Sequence, residues 1–485
     1  MLKRVLIANR GEIALRVIRA CRELDIETVA IYSTADESAL HAQIATRSLC
    51  VGPARAADSY LNQDAILSAA LATGCDAIHP GYGFLSENPD FADRCVEAGL
   101  KYIGPSGDVI RKMGSKAAAR TLAQQAGVPV VPGSDGPLRD VEQAKELAAQ
   151  VGYPVLLKAS AGGGGRGMRQ VDGPEGLESA FHAAQAEAIA CFGDGEMYLE
   201  KLVLSPRHIE FQIMADSQGH VVHLGERDCS MQRRKQKLME ESPCAILSPA
   251  LRQQMGDAAV RAAKQCGFTN AGTVEFLTDG KEFFFMEMNT RIQVEHPVTE
   301  AVTGIDLVQA QLRIAAGEPL GFTQSDVQIR GHAIECRILA ENPAENFRPC
   351  PGVIQGLYMP GGPGVRVDSG RRSSSLDSAE DAEHPASASR ASRSVRTVFV
   401  CLIPASEVES SFEFVHLFLG GARRLESHRL GSQIDLRRFR KHVDLVESLH
   451  DVGTHGADAV LLPHHHVVFP KLFDGGLGQL GGTRH

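Results

Sequence analysis

The chain of 485 residues carries 43% hydrophobic and 22% charged residues, no tryptophan and a formal charge of −9. Its length exceeds what one core fills and predicts two to four domains. The charge gives no sign of a nucleic-acid or membrane-surface partner.

Eleven cysteines without a Cys-x-x-Cys pair read as reduced thiols rather than a disulfide framework or a zinc site. The opening MLKRVLIANRGE holds too short an apolar stretch for a secretory signal. No run reaches the roughly 20 apolar residues of a membrane span, so the expected address is the cytoplasm. Residues 2–8 predict a buried strand. After Asn9-Arg10-Gly11-Glu12 comes a helix with Ile13, Val17, Ala20, Cys21 and Leu24 on one stripe. Strand signals at 28–32, 76–79 and 101–103 alternate with helical segments 61–73 and 89–98. That alternation predicts a doubly wound α/β domain over 1–112. The Asn-Arg-Gly-Glu turn lacks the G-x-G-x-x-G spacing of a dinucleotide site.

Residues 113–330 mix helices with β-rich stretches, with strands expected at 154–158, 197–200, 208–214, 220–226, 272–277 and 282–288. Residues 331–370 add a short β piece containing GHAIECRILAE. The composition then breaks. Residues 371–394 hold eight serines in 24 positions and read as flexible. Residues 371–485 carry ten of the 18 histidines, twelve arginines and two lysines. This tail shows no convincing α/β alternation and is expected to be disordered: a foreign module, a disordered extension, or coding sequence read out of frame. The fold class expected is a mixed α/β and α+β multidomain chain.

Three stretches carry chemistry. In Lys158-Ala-Ser-Ala-Gly-Gly-Gly-Gly-Arg-Gly-Met-Arg169 an apolar strand ends in a lysine and enters a glycine run. Glycines let successive backbone N–H groups form a nest for phosphate, and the lysine adds a compact positive charge. No G-K-[S/T] follows, so this is not a Walker A loop.

The second stretch runs from Gly272 to Glu295. Asp279-Gly280 is a hairpin signal that folds 273–277 onto 282–288 and sets Glu275 opposite Glu287. Glu287, Asn289, Arg291, Gln293 and Glu295 then recur at every second place. In an extended chain all five point one way. Two carboxylates and an amide that converge suit Mg²⁺ bound to a nucleotide. An exposed strand face is the plain alternative, but this polar set contains no lysine, serine or threonine filler.

The third stretch, Glu226 to Lys237, is dense in cations without apolar periodicity. It reads either as a solvated loop or as cations facing an anionic substrate. His79 and His208 each lie at a strand end, where a lone histidine is usually structural, and Arg337 alone reads as a surface arginine.

Together these segments resemble the biotin carboxylases, the ATP-grasp component of acetyl-CoA carboxylase and its relatives. The matching text includes RVLIANRGEIALRVIRACRELDI, AIHPGYGFLSEN, KASAGGGGRGMR, PRHIEFQI, ERDCSMQRRKQK, FFFMEMNTRIQVEHPVTE and RGHAIECRI. The resemblance is nearly continuous from residue 1 to about 370 and starts at the first residue, which favours a bacterial subunit. It implies an ATP-grasp domain over 113–330, a partial C-terminal domain over 331–370 and a non-homologous tail over 371–485.

The resemblance also implies a reaction. ATP phosphorylates bicarbonate to carboxyphosphate, and the carboxyl group passes to N1 of biotin carried by a partner. By motif position, ATP would be held by Lys116, Lys158, Gly164, Gly165, His208, Lys235, Glu275 and Glu287, with Glu200, Lys201, Leu202 and Val203 as its adenine hinge. Glu275, Glu287 and Asn289 match Mg²⁺ (or Mn²⁺) ligands. Lys237, Arg291 and Val294 match a bicarbonate site, Glu295 its general base, and Arg337 a biotin-facing arginine. The implied partners are a biotin carboxyl carrier protein, carboxyltransferase subunits and a second copy of the chain in a homodimer. Alternatives are a propionyl- or pyruvate-type carboxylase, or a non-catalytic nucleotide- or carrier-binding subunit.

Two departures stand out. Lys235 replaces a histidine common in the QRRHQK version of its motif. After Val367-Asp-Ser-Gly370 the family's tyrosine-rich stretch and closing helices and strands are missing, as a frameshift near codon 370 would produce. The remaining fragment is expected to expose apolar surface and an unpaired sheet edge.

Overall fold

The computed structural model describes residues 2–159, 167–204, 206–342, 345–349 and 359–370, and the backbone of 396–403. The N-terminal part is a five-stranded parallel sheet. Its order is Arg47–Gly52, Glu27–Ser33, Arg4–Ile7, Ala77–His79, Lys101–Tyr102. Val5, Leu6 and Ile7 are fully buried, as a central strand covered on both faces requires. The helix Gly11–Glu23 buries Ile13, Val17, Ala20 and Cys21 as its stripe predicts, and also Leu15, Arg16 and Ile18. It is covered twice because it packs on the sheet and on the helix Leu307–Ala316. The edge strand Arg47–Gly52 is absent from the sequence expectation; half its residues are exposed and it has little apolar patterning to reveal it.

A small sheet follows, ordered Met168–Val171, Val155–Ala159, Met197–Lys201. The helices Val141–Val151 and Leu177–Phe192 cover it around a separate core that includes Leu157, Phe181 and Leu199. Gly164 and Gly165 lie outside the described residues.

The large sheet has eight strands. In order they are Phe283–Asn289, Asn270–Thr278, Arg207–Ala215, Val221–Arg233, Gln236–Ser242, His332–Leu339, Arg396–Ile403 and Val365–Ser369. All neighbours are antiparallel. The helix Pro249–Gln265 packs on it through Leu251, Met255, Ala259 and Ala263, against Phe211 and Phe276. The border expected at 330 therefore falls inside one continuous sheet.

Three further expectations change. The basic stretch 226–237 is no solvated loop. It forms the turn and arms of the hairpin Val221–Arg233 and Gln236–Ser242, with Arg234 and Lys235 at positive φ at its tip. The polar alternation from Glu287 does not stay extended to Glu295. The strand ends at Asn289, and Glu295 caps the helix His296–Thr303. Pro297 in the first turn favours that helix start. The tail, finally, contributes an element. Arg396–Ile403 pairs along its length with His332–Leu339 and, on its other side, with Val365–Ser369. The edge expected to stand open is thus filled. A run of Val, Phe, Val, Cys, Leu and Ile has the β-forming character for this, and its polar, serine-rich flank obscured it.

Candidate functional site

The site grows from one hairpin and one buried arginine. Asp279 Oδ1 accepts from Lys281 N and Glu282 N, tightening the turn, and Glu275 pairs across it with Glu287. Next to this hairpin, Arg227 is fully buried. Its guanidinium donates to Glu210 Oε1 at 2.6 Å, Gln212 Oε1 at 2.8 Å, Thr299 Oγ1 at 2.9 Å, Thr273 Oγ1 at 3.2 Å and Gln293 Oε1 at 2.8 Å. A buried charge is tolerated when it is paired and its N–H groups are satisfied. Arg227 so ties three strands to the 290–299 segment.

Lys237 stands at the centre. Its ammonium lies 2.6 Å from Glu210 Oε2, 2.7 Å from Glu295 Oε1 and 3.1 Å from Glu275 Oε1. Burial alone would make it easier to deprotonate, but Glu210 and Glu295 hold it charged, well above the usual lysine range. Burial likewise opposes ionisation of Glu295, and Lys237 and Arg337 outweigh it, so its carboxyl lies below the usual range. Arg337 Nη2 donates to Glu295 Oε2 at 2.8 Å. Glu295 is thus an ionised, 2% exposed carboxylate gripped by a cation on each oxygen.

On the hairpin side, Glu275 meets His208 Nε2 at 2.8 Å and accepts from Asn289 Nδ2 at 2.8 Å. Glu275 is therefore pulled below the usual range despite its burial, by His208 and Lys237. The side chain of Glu287, directly opposite, makes no ion pair or hydrogen bond among the described residues. A carboxylate left unpaired beside an ionised one fits a cation-binding position, so Glu275, Glu287 and Asn289 suit Mg²⁺. The residue groups Glu210–Cys229–Glu295 and His208–Glu210–Glu275 also bring ligand-type atoms together, but Lys237 already pairs with Glu210, the carboxylate they share.

Arg291 does not reach Glu295. Its Nε donates to Glu87 Oε2 at 2.8 Å and its Nη2 to Asn289 Oδ1 at 3.2 Å. Glu87 comes from the turn before the helix Pro89–Glu97 in the N-terminal part, so this contact joins the two regions. Val294 is buried and, with Tyr82, Arg16 and His296, lines a small cavity.

The other expected residues lie farther out. Lys158 ion-pairs with Glu200 across neighbouring strands of the small sheet. Lys201 Nζ donates to Gly152 O and Tyr153 O at 2.8 Å each. Lys201 N and Leu202 N donate to Pro132 O and Pro154 O, and Val203 is half-buried in the turn beyond. Lys116 is exposed in the first turn of the helix Lys116–Gln125. Lys235 Nζ reaches Met168 Sδ at 3.8 Å. His79 is fully buried against Gln311, and burial lowers it to about 4, a structural role.

Sequence reasoning gave no role to Glu210, Arg227 or Glu87, and placed Gln293 on the polar face without one. Glu210 was open to discovery, since it follows His208 by two along one strand and so shares its face. Glu87 left no pattern to find.

Three family descriptions match the chain: biotin carboxylase, N-terminal domain, over 1–110; carbamoyl-phosphate synthase L chain, ATP binding domain, over 115–323; and biotin carboxylase C-terminal domain over 335–380. Biotin carboxylase 1 of Bacillus subtilis (strain 168) is 57% identical over 371 residues, 76% of this chain and 82% of that protein. A pyruvate carboxylase subunit of Methanothermobacter thermautotrophicus is 55% identical over 370 residues, 76% and 75% of the two chains. The crystal structure of a biotin carboxylase–β,γ-ATP complex from Campylobacter jejuni superposes with a TM-score of 0.73 at 46% identity, covering 83% of this chain and 88% of the other. A clamped, ionised Glu295 beside a carboxylate hairpin, on a fold shared with these proteins, places the chain in the biotin carboxylase family.

Proposed function

We propose that the chain carboxylates biotin on a carrier protein, using ATP and bicarbonate, as the first half-reaction of an acetyl-CoA carboxylase. The observation that carries this reading is Glu295 held between Lys237 and Arg337. Glu295 is ionised and ready to take the proton of bicarbonate, while Lys237 beside it attracts the bicarbonate anion. Arg337, on the other oxygen of Glu295, is poised to stabilise negative charge on the biotin ureido oxygen.

The remaining residues divide the work. Lys116, Lys158, His208 and Lys235 supply positive charge for ATP, and the hinge 200–203 offers backbone groups to adenine. Gly164 and Gly165, outside the described residues, belong to the glycine run that would cover the phosphates. Mg²⁺ at Glu275, Glu287 and Asn289 would neutralise phosphate charge during transfer. Arg291 leaves Glu87 and Asn289 to fork the bicarbonate, so the contact between the two regions opens when substrate enters.

The proposed partners are a biotin carboxyl carrier protein, carboxyltransferase subunits and a second copy of this chain. No helix among the described residues is long and apolar enough to cross a membrane, and the cytoplasm is the proposed location. The similarity to a pyruvate carboxylase component supports a second reading with a different final acceptor.

The test is ATP hydrolysis by the purified full chain, with and without bicarbonate and free biotin. Dependence on both supports the reading, as does a raised biotin KM in Arg337→Ala. ATP hydrolysis indifferent to bicarbonate would overturn it.

A further inference from the structure

Behind the biotin-facing arginine lie two carboxyl groups that the reaction above does not use. Glu240, on the strand Gln236–Ser242, and Glu335, on His332–Leu339, are directly opposed across the antiparallel pair. Both are fully buried. Side chains opposed in this way lie beside each other. None of their four oxygens accepts a hydrogen bond from a described residue. The one cation in ion-pair range of them among the described residues is Arg337, whose Nη2 lies 2.7 Å from Glu240 Oε1 without hydrogen-bond alignment. Glu335 and Arg337 are two apart on one strand and share its face.

Two carboxylates side by side in a dry interior cannot both stay ionised, because desolvation and mutual repulsion act together. Glu240 faces Arg337, Glu295, Lys237 and Glu210; Glu335 faces Glu240, Arg337, Glu295 and Asp368. Burial is the largest influence on both and pushes both above the usual carboxylate range, while Arg337 opposes it and favours one negative charge. A single proton between them joins one oxygen of each carboxyl and leaves one negative charge for Arg337.

We propose that Glu240 and Glu335 share one proton behind the site, and that this carboxylic acid–carboxylate pair positions Arg337 for biotin. It rests on the assignment of Arg337 to biotin. Both are positioning residues, since they act through Arg337. The neutral partner donates to the charged one, which anchors the guanidinium from behind while Glu295 holds it in front. Arg337 then keeps one orientation as Glu295 gains and loses its proton during turnover.

The arrangement predicts an unusual pattern of rescue. A single Glu335→Gln or Glu240→Gln change keeps one donor and one charge, so the biotin KM should stay within about threefold of wild type. The double change removes the charge, and Glu335→Leu removes the donor. Each should raise the biotin KM roughly tenfold or more, the scale of one charge-assisted hydrogen bond, with the ATP KM unaltered.

The experiment uses the full chain with free biotin as the probe, and infrared difference spectra of wild type against Glu335→Gln. A protonated-carboxyl band lost in the variant, together with the rescue pattern, is expected. Absence of the band would overturn the proposal, as would a double variant with wild-type biotin KM or single variants as impaired as the double. If Glu335→Leu does not fold, the isosteric glutamine series still decides. If the wild-type chain shows no bicarbonate- and biotin-dependent ATP hydrolysis, the carboxylase reading fails on its own, and the infrared band still decides the shared proton.

Discussion

Lys237 Nζ and Glu295 Oε1 lie 2.7 Å apart, joining a sheet hairpin to the start of the helix His296–Thr303. Lys237 is also the common counter-ion of Glu210 and Glu275. Replacing it with methionine removes a counter-ion from three buried carboxylates, each left with at least one other cationic partner. Lys237→Met should cost about 3–5 kcal/mol of stability and lower bicarbonate-dependent ATP turnover by roughly 10²-fold or more. Urea unfolding and steady-state kinetics check both effects.

Arg291 bridges Asn289 and Glu87 rather than packing into the core. Arg291→Ala should abolish biotin carboxylation while ATP affinity, measured by calorimetry, stays close to wild type. Unchanged turnover would remove Arg291 from the bicarbonate site.

Acid should unfold the protein through Glu210. Burial disfavours its charge, but Lys237 and Arg227 hold its carboxyl down to about 2. Its folded pKa is below the unfolded value, so its contribution is complete above the ordinary glutamate range and falls away as pH drops toward 2. Urea midpoints should therefore decline from pH 5 downward, and Glu210→Gln, already weaker at neutral pH, should decline less steeply. Parallel slopes for the two proteins would contradict this.

The tail strand can be removed from the ladder without deleting it. Val400 pairs with both Glu335 and Arg366, and proline there deletes the backbone N–H. Val400→Pro should lower the thermal midpoint and raise aggregation by exposing the edge of His332–Leu339. Light scattering during a thermal ramp reads both, and an unaltered midpoint would mean the pairing contributes nothing.

Much of this was legible from local pattern. Asp279-Gly280 and the flanking apolar runs identified the hairpin and the opposition of Glu275 and Glu287, because turn chemistry sets register over a few residues. Period two failed beyond Asn289, where the turn and the Pro297 helix start override it. Yet Gln293 and Glu295 still reach the site, carried by tertiary packing rather than by strand alternation. Arg227 could not be ranked above its cationic neighbours from sequence, since its burial depends on Thr273, Gln293 and Thr299, distant in the chain. The tail strand was hidden for a similar reason: its partner lies more than fifty positions earlier, and its neighbours in sequence suggest no fold.

That long return has a consequence for how the protein is made. The hairpin, the Arg227 cluster and the Lys237 triad are all complete in the chain by residue 299, whereas the strand bearing Arg337 gains its second neighbour only at 396–403. On a ribosome, where domains fold as the chain emerges, the hairpin and Lys237 side of the site can assemble first. The Arg337 side waits for the strand Arg396–Ile403 to be synthesised.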